Sequence, residues 1–270
     1  MKPKPHLRKN THGRSTKNSA EIEDPNLPIF FFMPKDPPYG LFCHWESTSF
    51  AFPRESLTWL RTAHPGHTEF EPVSPPPSSS ELVPTEIEFN CTEQFMMLCK
   101  ALYFHDKISA NLIMATNDPS LQKKYGRAVK DFAEFLWRQS CERVAFEGNW
   151  WKFARDEARR NFLLGTGDRM IREASSRDRR WGIGYKKHKA LQYRGDGGEN
   201  LLGKAIMQVR AKLRERVRDI ERELRQPGDW ALPGDEMWVV NEASRLLDKV
   251  QKAFRHQIAS MQDSANPTST

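Results

Sequence analysis

Past Gly203 the apolar residues Ile206, Val209, Leu213, Val217, Ile220 and Leu224 recur at heptad-like spacing, with Arg and Glu between them. This is the pattern of one long amphipathic helix with a narrow apolar seam. A seam of that kind is stable only when something covers it. Pro227-Gly228 and Pro233-Gly234 break the pattern, and residues 238–261 resume it with Val240, Ala243, Leu247, Val250, Phe254 and Ile258. The second stretch folds back on the first as an antiparallel hairpin, or the seams pair in a dimer.

Upstream, three further segments space their apolar residues three or four apart: 108–115, 119–125 and 132–146, interrupted by Asn117-Asp118-Pro119 and Gly126. They read as packing helices. Gly165-Thr166-Gly167 is placed to end another. β-prone stretches are few and short. Ile29-Phe30-Phe31-Phe32 stops at Pro34, Tyr39-Gly40-Leu41-Phe42 resumes beyond it, and Glu86-Ile87-Glu88-Phe89 alternates as a strand does. Thr92 is then placed to cap a helix carrying Glu93, Phe95, Met96, Met97 and Lys100. The expected fold is α+β and mainly helical, one compact domain over residues 25–225 with a few short strands near the N-terminus. Residues 226–270 are expected as a helical extension packing on it. The Pro/Ser-rich residues 72–84 read as a loop insertion.

The chain of 270 residues is 38% hydrophobic, enough for a real core, and no run approaches the ~20 apolar residues that cross a bilayer. A non-membrane, intracellular protein is expected, cytoplasmic or nuclear. Its net charge of +7 sits almost wholly in a tail, since residues 1–20 hold Lys2, Lys4, Arg8, Lys9, Arg14 and Lys17 without an acid. Residues 1–24 read as a disordered basic tail, and the remainder is nearly neutral. The cysteines Cys43, Cys91, Cys99 and Cys141 are scattered and read as free thiols. No metal-type cluster and no redox cofactor are expected.

The stretch least explained by packing runs from Glu173 to Arg210. Trp181 lies between charges and beside Gly182 and Gly184, which suits a flat ring next to backbone that a ligand can approach, or simply a glycine turn with an anchoring tryptophan. Asn200 opens the long helix as an N-cap, where free N–H groups and the dipole favour an anion. Nine Lys/Arg face three Asp/Glu from Asp168 to Arg194, a surplus that suits a phosphorylated ligand or a solvated surface. Earlier in the chain, Glu93 and Lys100 share a helix face about 10 Å apart, too far to pair without a third group between them. Glu93 reads either as a buried acid–base carboxyl or as a partner of the helix dipole. Lys152, between Trp151 and Phe153, is either a desolvated amine nucleophile or a snorkelling lysine.

Taken in order, these motifs resemble the NADAR family of YbiA-like N-glycosidases, first associated with riboflavin intermediates. The marks are an aromatic strand leading to Tyr39-Gly40, then Thr92-Glu93-Gln94-Phe95-Met96 with Lys100-Ala101, Trp137, Lys152-Phe153 and Leu164-Gly165-Thr166-Gly167. Glu173, Asp178, Trp181-Gly182-Ile183-Gly184, Asn200-Leu201-Leu202-Gly203, Met207 and Arg210 complete them. Many members have Ser-Asn where this chain has Cys43-His44, and Glu-His-Tyr where it has Glu93-Gln94-Phe95, so no role rests on that histidine. The resemblance implies cleavage of a C1–N bond between a phosphorylated ribose and a base-like amine, on a riboflavin-pathway intermediate or on ADP-ribose, including ADP-ribose attached to guanine in nucleic acid. In that chemistry Glu93 is the first choice of carboxylate and Lys100 or Lys152 an iminium former. Asp178 binds ribose hydroxyls or assists acid–base work, Trp181 stacks on the base, and Asn200 holds phosphate. Tyr39, Gly40, Gly182, Gly184, Gly203 and Arg210 complete the implied binding set. Two other classes compete with the enzyme: a reader that binds ADP-ribose or a nucleotide without cleaving it, and a structural protein whose terminal helices recruit a partner.

Overall fold

The computed structural model describes residues 27–65, 85–192 and 197–223. The basic tail 1–24, the Pro/Ser-rich loop 72–84 and the extension 226–270 lie outside the described residues. In chain order come strands β1 (Ile29–Phe31) and β2 (Phe50–Pro53), helix α1 (Leu60–Ala63) and strand β3 (Glu86–Phe89). Helices α2 (Thr92–Tyr103), α3 (Lys107–Met114), α4 (Pro119–Arg127), α5 (Glu134–Trp137), α6 (Cys141–Ala154) and α7 (Glu157–Gly165) follow. Strand β4 (Ile171–Glu173), the single turn α8 (Lys187–Ala190) and the long α9 (Leu201–Glu223) complete the described chain. The architecture is α+β and mainly helical, as expected.

Two strand pairs hold the ends of the loops together. β1 runs parallel to β4, with Ile29 opposite Ile171 and Phe31 opposite Glu173. β2 runs antiparallel to β3, with Phe50 opposite Phe89 and Pro53 opposite Glu86. β2 was not foreseen, because Pro53 and the charged Arg54-Glu55 beyond it shorten its apolar pattern to a few residues. Tyr39–Phe42, expected to resume a strand, is a 3-10 turn. There the Gly40 amide donates to Asp36 at 2.7 Å, and a Cβ at Gly40 would fall 2.1 Å from the Pro34 carbonyl oxygen.

α2 also starts differently. Thr92 is its first helical residue and Cys91 precedes it without a side-chain cap. The Thr92 methyl is turned toward α6, where a Cβ at Gly148 would lie 3.0 Å from it, so the residue packs instead of capping. α3 and α4 have the caps that their sequences promise: Asp106 accepts from the Ser109 amide and Asp118 from the Ser120 amide, with Pro119 in the first turn. α7 ends at Gly165, with Gly167 at φ +59°, in line with the expected terminator.

The seam of α9 is covered by the domain itself. Ile206, Val209, Leu213 and Ile220 are buried with Ile29, Phe31, Phe42, Phe153, Leu163 and Ile171, and α6, α7 and β4 pack against the helix. Over this stretch neither a hairpin partner nor a dimer is required. A second cluster gathers Phe50, Phe52, Phe89, Phe95, Trp137 and Val144 around α2. α6 reaches both clusters, with Cys141 and Val144 in one and Phe153 and Ala154 in the other, which is why its apolar residues do not keep to one face. Trp181 packs against both clusters at once. All four cysteines are buried free thiols. Among the described residues no helix is long and apolar enough to cross a membrane.

Candidate active site

The first turn of α2 is pinned by the loop before β2. The Glu93 amide donates to the His44 carbonyl at 3.0 Å, and the Trp45 side chain donates a hydrogen bond to the Glu93 carboxylate. Glu93 is only 5% exposed. Burial raises its pKa above the ordinary value, and Lys123, the Trp45 hydrogen bond and Arg127 pull it back, while Asp178 pushes it up again. Glu93 therefore faces two cations from α4 and a second carboxylate from the loop after β4.

α4 comes this close because of a glycine. A Cβ at Gly126 would lie 2.0 Å from the Met97 sulfur on α2, so the residue that looked like an interruption of a helix is the point where α4 meets α2. Lys123 and Arg127, four residues apart, lie on one flank of that contact. The Lys123 ammonium also stands 5.6 Å from the centre of the Trp45 ring.

A third carboxyl completes the group. Glu173 ends β4, and its pKa is pushed up to about 7, mainly by burial, then by Asp178, with Lys123 opposing and Glu93 adding to the rise. Its buried Oε2 meets no hydrogen-bond donor among the described residues. The backbone of Glu173 is fixed on both sides: its amide donates to Asn200 Oδ1 at 3.1 Å, and its carbonyl accepts from Ile183 at 2.9 Å. Asp178 is fixed as well, one oxygen accepting from the amides of Arg180 at 2.9 Å and Trp181 at 2.8 Å. Trp181 then lies beside the His44 ring, 6.4 Å between centres. His44 takes a hydrogen bond from Asn149 at 3.0 Å through Nε2. Burial and the charges of Lys152 and Lys123 hold its pKa down to about 3, so it is a neutral wall of the site and not an acid.

Of the residues expected from the sequence, Glu93, Asp178 and Trp181 come together here. Lys100 lies further along α2, with its ammonium 3.6 Å from the centre of the Phe132 ring and its pKa lowered to about 8 by burial and by Arg127. Arg127 acts on both, favouring the charged form of Glu93 and disfavouring that of Lys100.

Other expectations are corrected. Lys152 does not snorkel; it is fully buried, its Nζ 3.1 Å from Glu46 and 3.2 Å from the Cys43 carbonyl. Asn200 is no phosphate cap. It takes φ +54°, donates to the Ile171 carbonyl at 2.9 Å and holds the Glu173 amide. The amides of Leu201 and Leu202, which an anion would need, already donate to Arg180 and Trp181 at 3.0 and 3.1 Å. Gly182 and Gly203 serve close approaches of backbone to backbone, since a Cβ would lie 2.8 Å from the Glu173 oxygen in one case and 2.1 Å from the Ile171 oxygen in the other. Tyr39 stacks on Phe42, and its hydroxyl accepts from Arg169 at 3.0 Å. Arg210 is buried at the end of α7, donating to Thr166 at 2.7 Å. Both belong to the framework around the cluster under α9.

The basic loop does form a concavity. Ser176, Gly184, Tyr185, Lys186, His188 and Lys189 line a cavity of about 280 Å³, with Gly184 at φ +75° packed on the Arg179 side chain. The position where many NADAR proteins have histidine is Gln94. Its side chain is spent on the Asn90 amide and on the carbonyls of Ile113 and Thr116, a structural duty at the junction with α3.

Sequence reasoning missed Lys123, Arg127 and Trp45 and used Glu173 only as a family mark. The available signal was the four-residue spacing of Lys123 and Arg127 around Gly126, on a helix whose start Asp118-Pro119 had already marked.

The chain is similar to several known proteins. The chain is 36% identical over 125 residues to N-glycosidase R617 of Acanthamoeba polyphaga mimivirus, covering 46% of this chain and 74% of that protein. It is 32% identical over 154 residues to Protein irg-1 of Caenorhabditis elegans, covering 56% and 73% respectively. The NMR structure of the E. coli protein YbiA matches 76% of this chain and 92% of its own at 18% identity, with a TM-score of 0.48. Residues 30–214 match the NADAR domain, a span that contains every residue of the cluster around Glu93. The chain belongs to the NADAR domain family.

Proposed function

We propose that this protein is an N-glycosidase that hydrolyses the C–N bond between a phosphorylated ribose and a base-like amine. The observation that carries the reading is the group of three carboxyls, Glu93 buried and Glu173 and Asp178 partly buried, set with Lys123 and Arg127 beside Trp45 and Trp181. The name of the mimivirus relative, an N-glycosidase, supports it.

Breaking a ribosyl C–N bond needs a proton at the leaving nitrogen and a carboxylate or nucleophile at C1. Glu173, with a pKa of about 7, is half protonated at neutral pH and serves as the proton donor. Glu93 stabilises the cationic ribose, Asp178 takes ribose hydroxyls through its remaining oxygen, and Lys123 and Arg127 hold phosphate. Trp181 stacks on the base. Both lysines considered have lowered pKa values, and Lys100 is the one that shares Arg127 with Glu93. Its Nζ attacks C1 while the leaving nitrogen takes the Glu173 proton; the adduct opens to an iminium, water adds at C1, and the lysine is released.

The basic cavity beside Gly184 favours the larger substrates, ADP-ribose or ADP-ribosylated nucleic acid, over a riboflavin-pathway monophosphate. A single phosphate leaves Lys186 and Lys189 without a task. A reader that binds ADP-ribose without cleaving it has no use for a carboxyl near pKa 7 among two others. Mass spectrometry of candidate N-ribosides incubated with the pure protein tests the proposal: released base and free ribose phosphate support it, and intact substrates with measurable binding support the reader.

A further inference from the structure

We infer that Lys152 is a positioning residue for Glu93, acting through the loop Cys43-His44-Trp45-Glu46, and not a nucleophile. The inference rests on the reading of Glu93 as a reaction carboxyl.

Lys152 sits in the last turn of α6 with 1% of its surface exposed. Its ammonium has two partners, the Cys43 carbonyl at 3.2 Å and the Glu46 carboxylate at 3.1 Å. These lie at the two ends of a four-residue loop, so one buried cation clamps both. Glu46 is held from its other side: Oε1 accepts from Arg159 at 3.0 Å, and Arg159 in turn pairs with Asp156, the N-cap of α7. The Thr48 hydroxyl also donates to Glu46. Between the clamped ends lie the two groups that grip Glu93, the His44 carbonyl and the Trp45 side chain. A chain of contacts thus runs from α7 and α6 through the loop to the first turn of α2.

The same geometry argues against covalent work by Lys152. Its contacts are with Cys43 and Glu46, and burial lowers its pKa from the ordinary value while the Glu46 carboxylate opposes that shift. An amine engaged by a carbonyl and a carboxylate of the loop is not placed to attack a sugar carbon. Removing it leaves Glu46 with Arg159 alone and frees the Cys43 end of the loop, so the loop shifts and Glu93 loses its indole donor. Misplacement on the scale of an ångström costs a reaction on the order of 10²-fold.

The test uses the full-length protein and three variants, Lys152→Met, Glu46→Gln and Trp45→Phe. Two readouts are taken: the pH dependence of kcat on a cleaved N-riboside, and the Trp45 indole N–H resonance without substrate, assigned by its loss in Trp45→Phe. Expected are a fall in kcat on the order of 10²-fold in Lys152→Met with little change in KM, and a shift of the Glu93-dependent limb to higher pH in all three variants, because each removes the hydrogen bond that favours the carboxylate. The indole resonance moves in Lys152→Met and Glu46→Gln alike. A borohydride-stable adduct on Lys152 in the wild type, or an unmoved indole signal in both Lys152→Met and Glu46→Gln, overturns the inference. If Lys152→Met does not fold, Glu46→Gln alone decides. If no N-riboside is cleaved by the wild type, the proposed function fails while the indole measurement still judges the clamp.

Discussion

Gly203 on α9 lies so close to β4 that a Cβ there would sit 2.1 Å from the carbonyl oxygen of Ile171. That contact, with Asn200 bridging the Ile171 carbonyl and the Glu173 amide, sets where Glu173 stands. Gly203→Ala should therefore lower stability by on the order of 3 kcal/mol, since backbone has to move to admit the methyl. Asn200→Ala should also lower the melting temperature, and its kinetic defect should not depend on how many phosphates the substrate carries. Thermal denaturation and KM values for mono- and diphosphorylated substrates check both.

Glu173 gives the protein a pH dependence of its own. A carboxyl whose pKa rises from 4.5 unfolded to about 7 folded binds more protons folded than unfolded between those values, so stability falls as pH rises through that window. Glu173→Gln removes the penalty. The variant should gain on the order of 2–3 kcal/mol over the wild type at pH 8 and show no difference below pH 4. Its activity should fall at all pH values, and the wild type should lose activity as pH rises through 7. Urea titrations at the two pH values, with a pH–rate profile, measure this.

Lys100 should be the lysine that reacts. With a pKa near 8 a useful fraction is neutral at pH 7.5, and borohydride added during turnover should fix the ribose on it. Peptide mapping locates the adduct. An absence of any adduct on Lys100 favours direct attack by water at C1.

Lys186→Ala, Lys187→Ala and Lys189→Ala combined should weaken processing of an ADP-ribosylated oligonucleotide far more than that of a ribosylaminopyrimidine phosphate. Two of these lysines line the cavity near Gly184 and Lys187 begins α8 between them. The wild type should show a steep inverse salt dependence on the oligonucleotide that the triple variant loses, because each contacted phosphate releases counterions. Equal losses on both substrates make the loop a general phosphate clamp.

Most helices of this fold were legible because they carry local marks: Asp118-Pro119 before α4, Gly165-Thr166-Gly167 after α7, and the repeating seam of α9. The residues Glu93 and Asp178 were legible through the family resemblance. What was not legible depends on approach between distant segments. Lys123 and Arg127 look like solvated charges until Gly126 brings α4 against α2. Asn200 looks like an ordinary cap until its positive φ turns both side-chain atoms onto β4. Lys152 has the same sequence whether it snorkels, reacts or clamps, and only the Glu46 and Cys43 contacts separate these readings. Local pattern records what a residue can do, and packing decides which partner it meets.

The most direct measurement is cleavage by Glu93→Gln. The isostere keeps the shape of the first turn of α2 and removes the ionisable group, so its melting temperature should stay within a few degrees of the wild type. Mass spectrometry of an N-riboside phosphate or ADP-ribosylated base incubated with each protein should show released base with the wild type and loss of that release, by a factor of 10² or more, in the variant. Full activity in Glu93→Gln would contradict the assignment of this cluster as the active site.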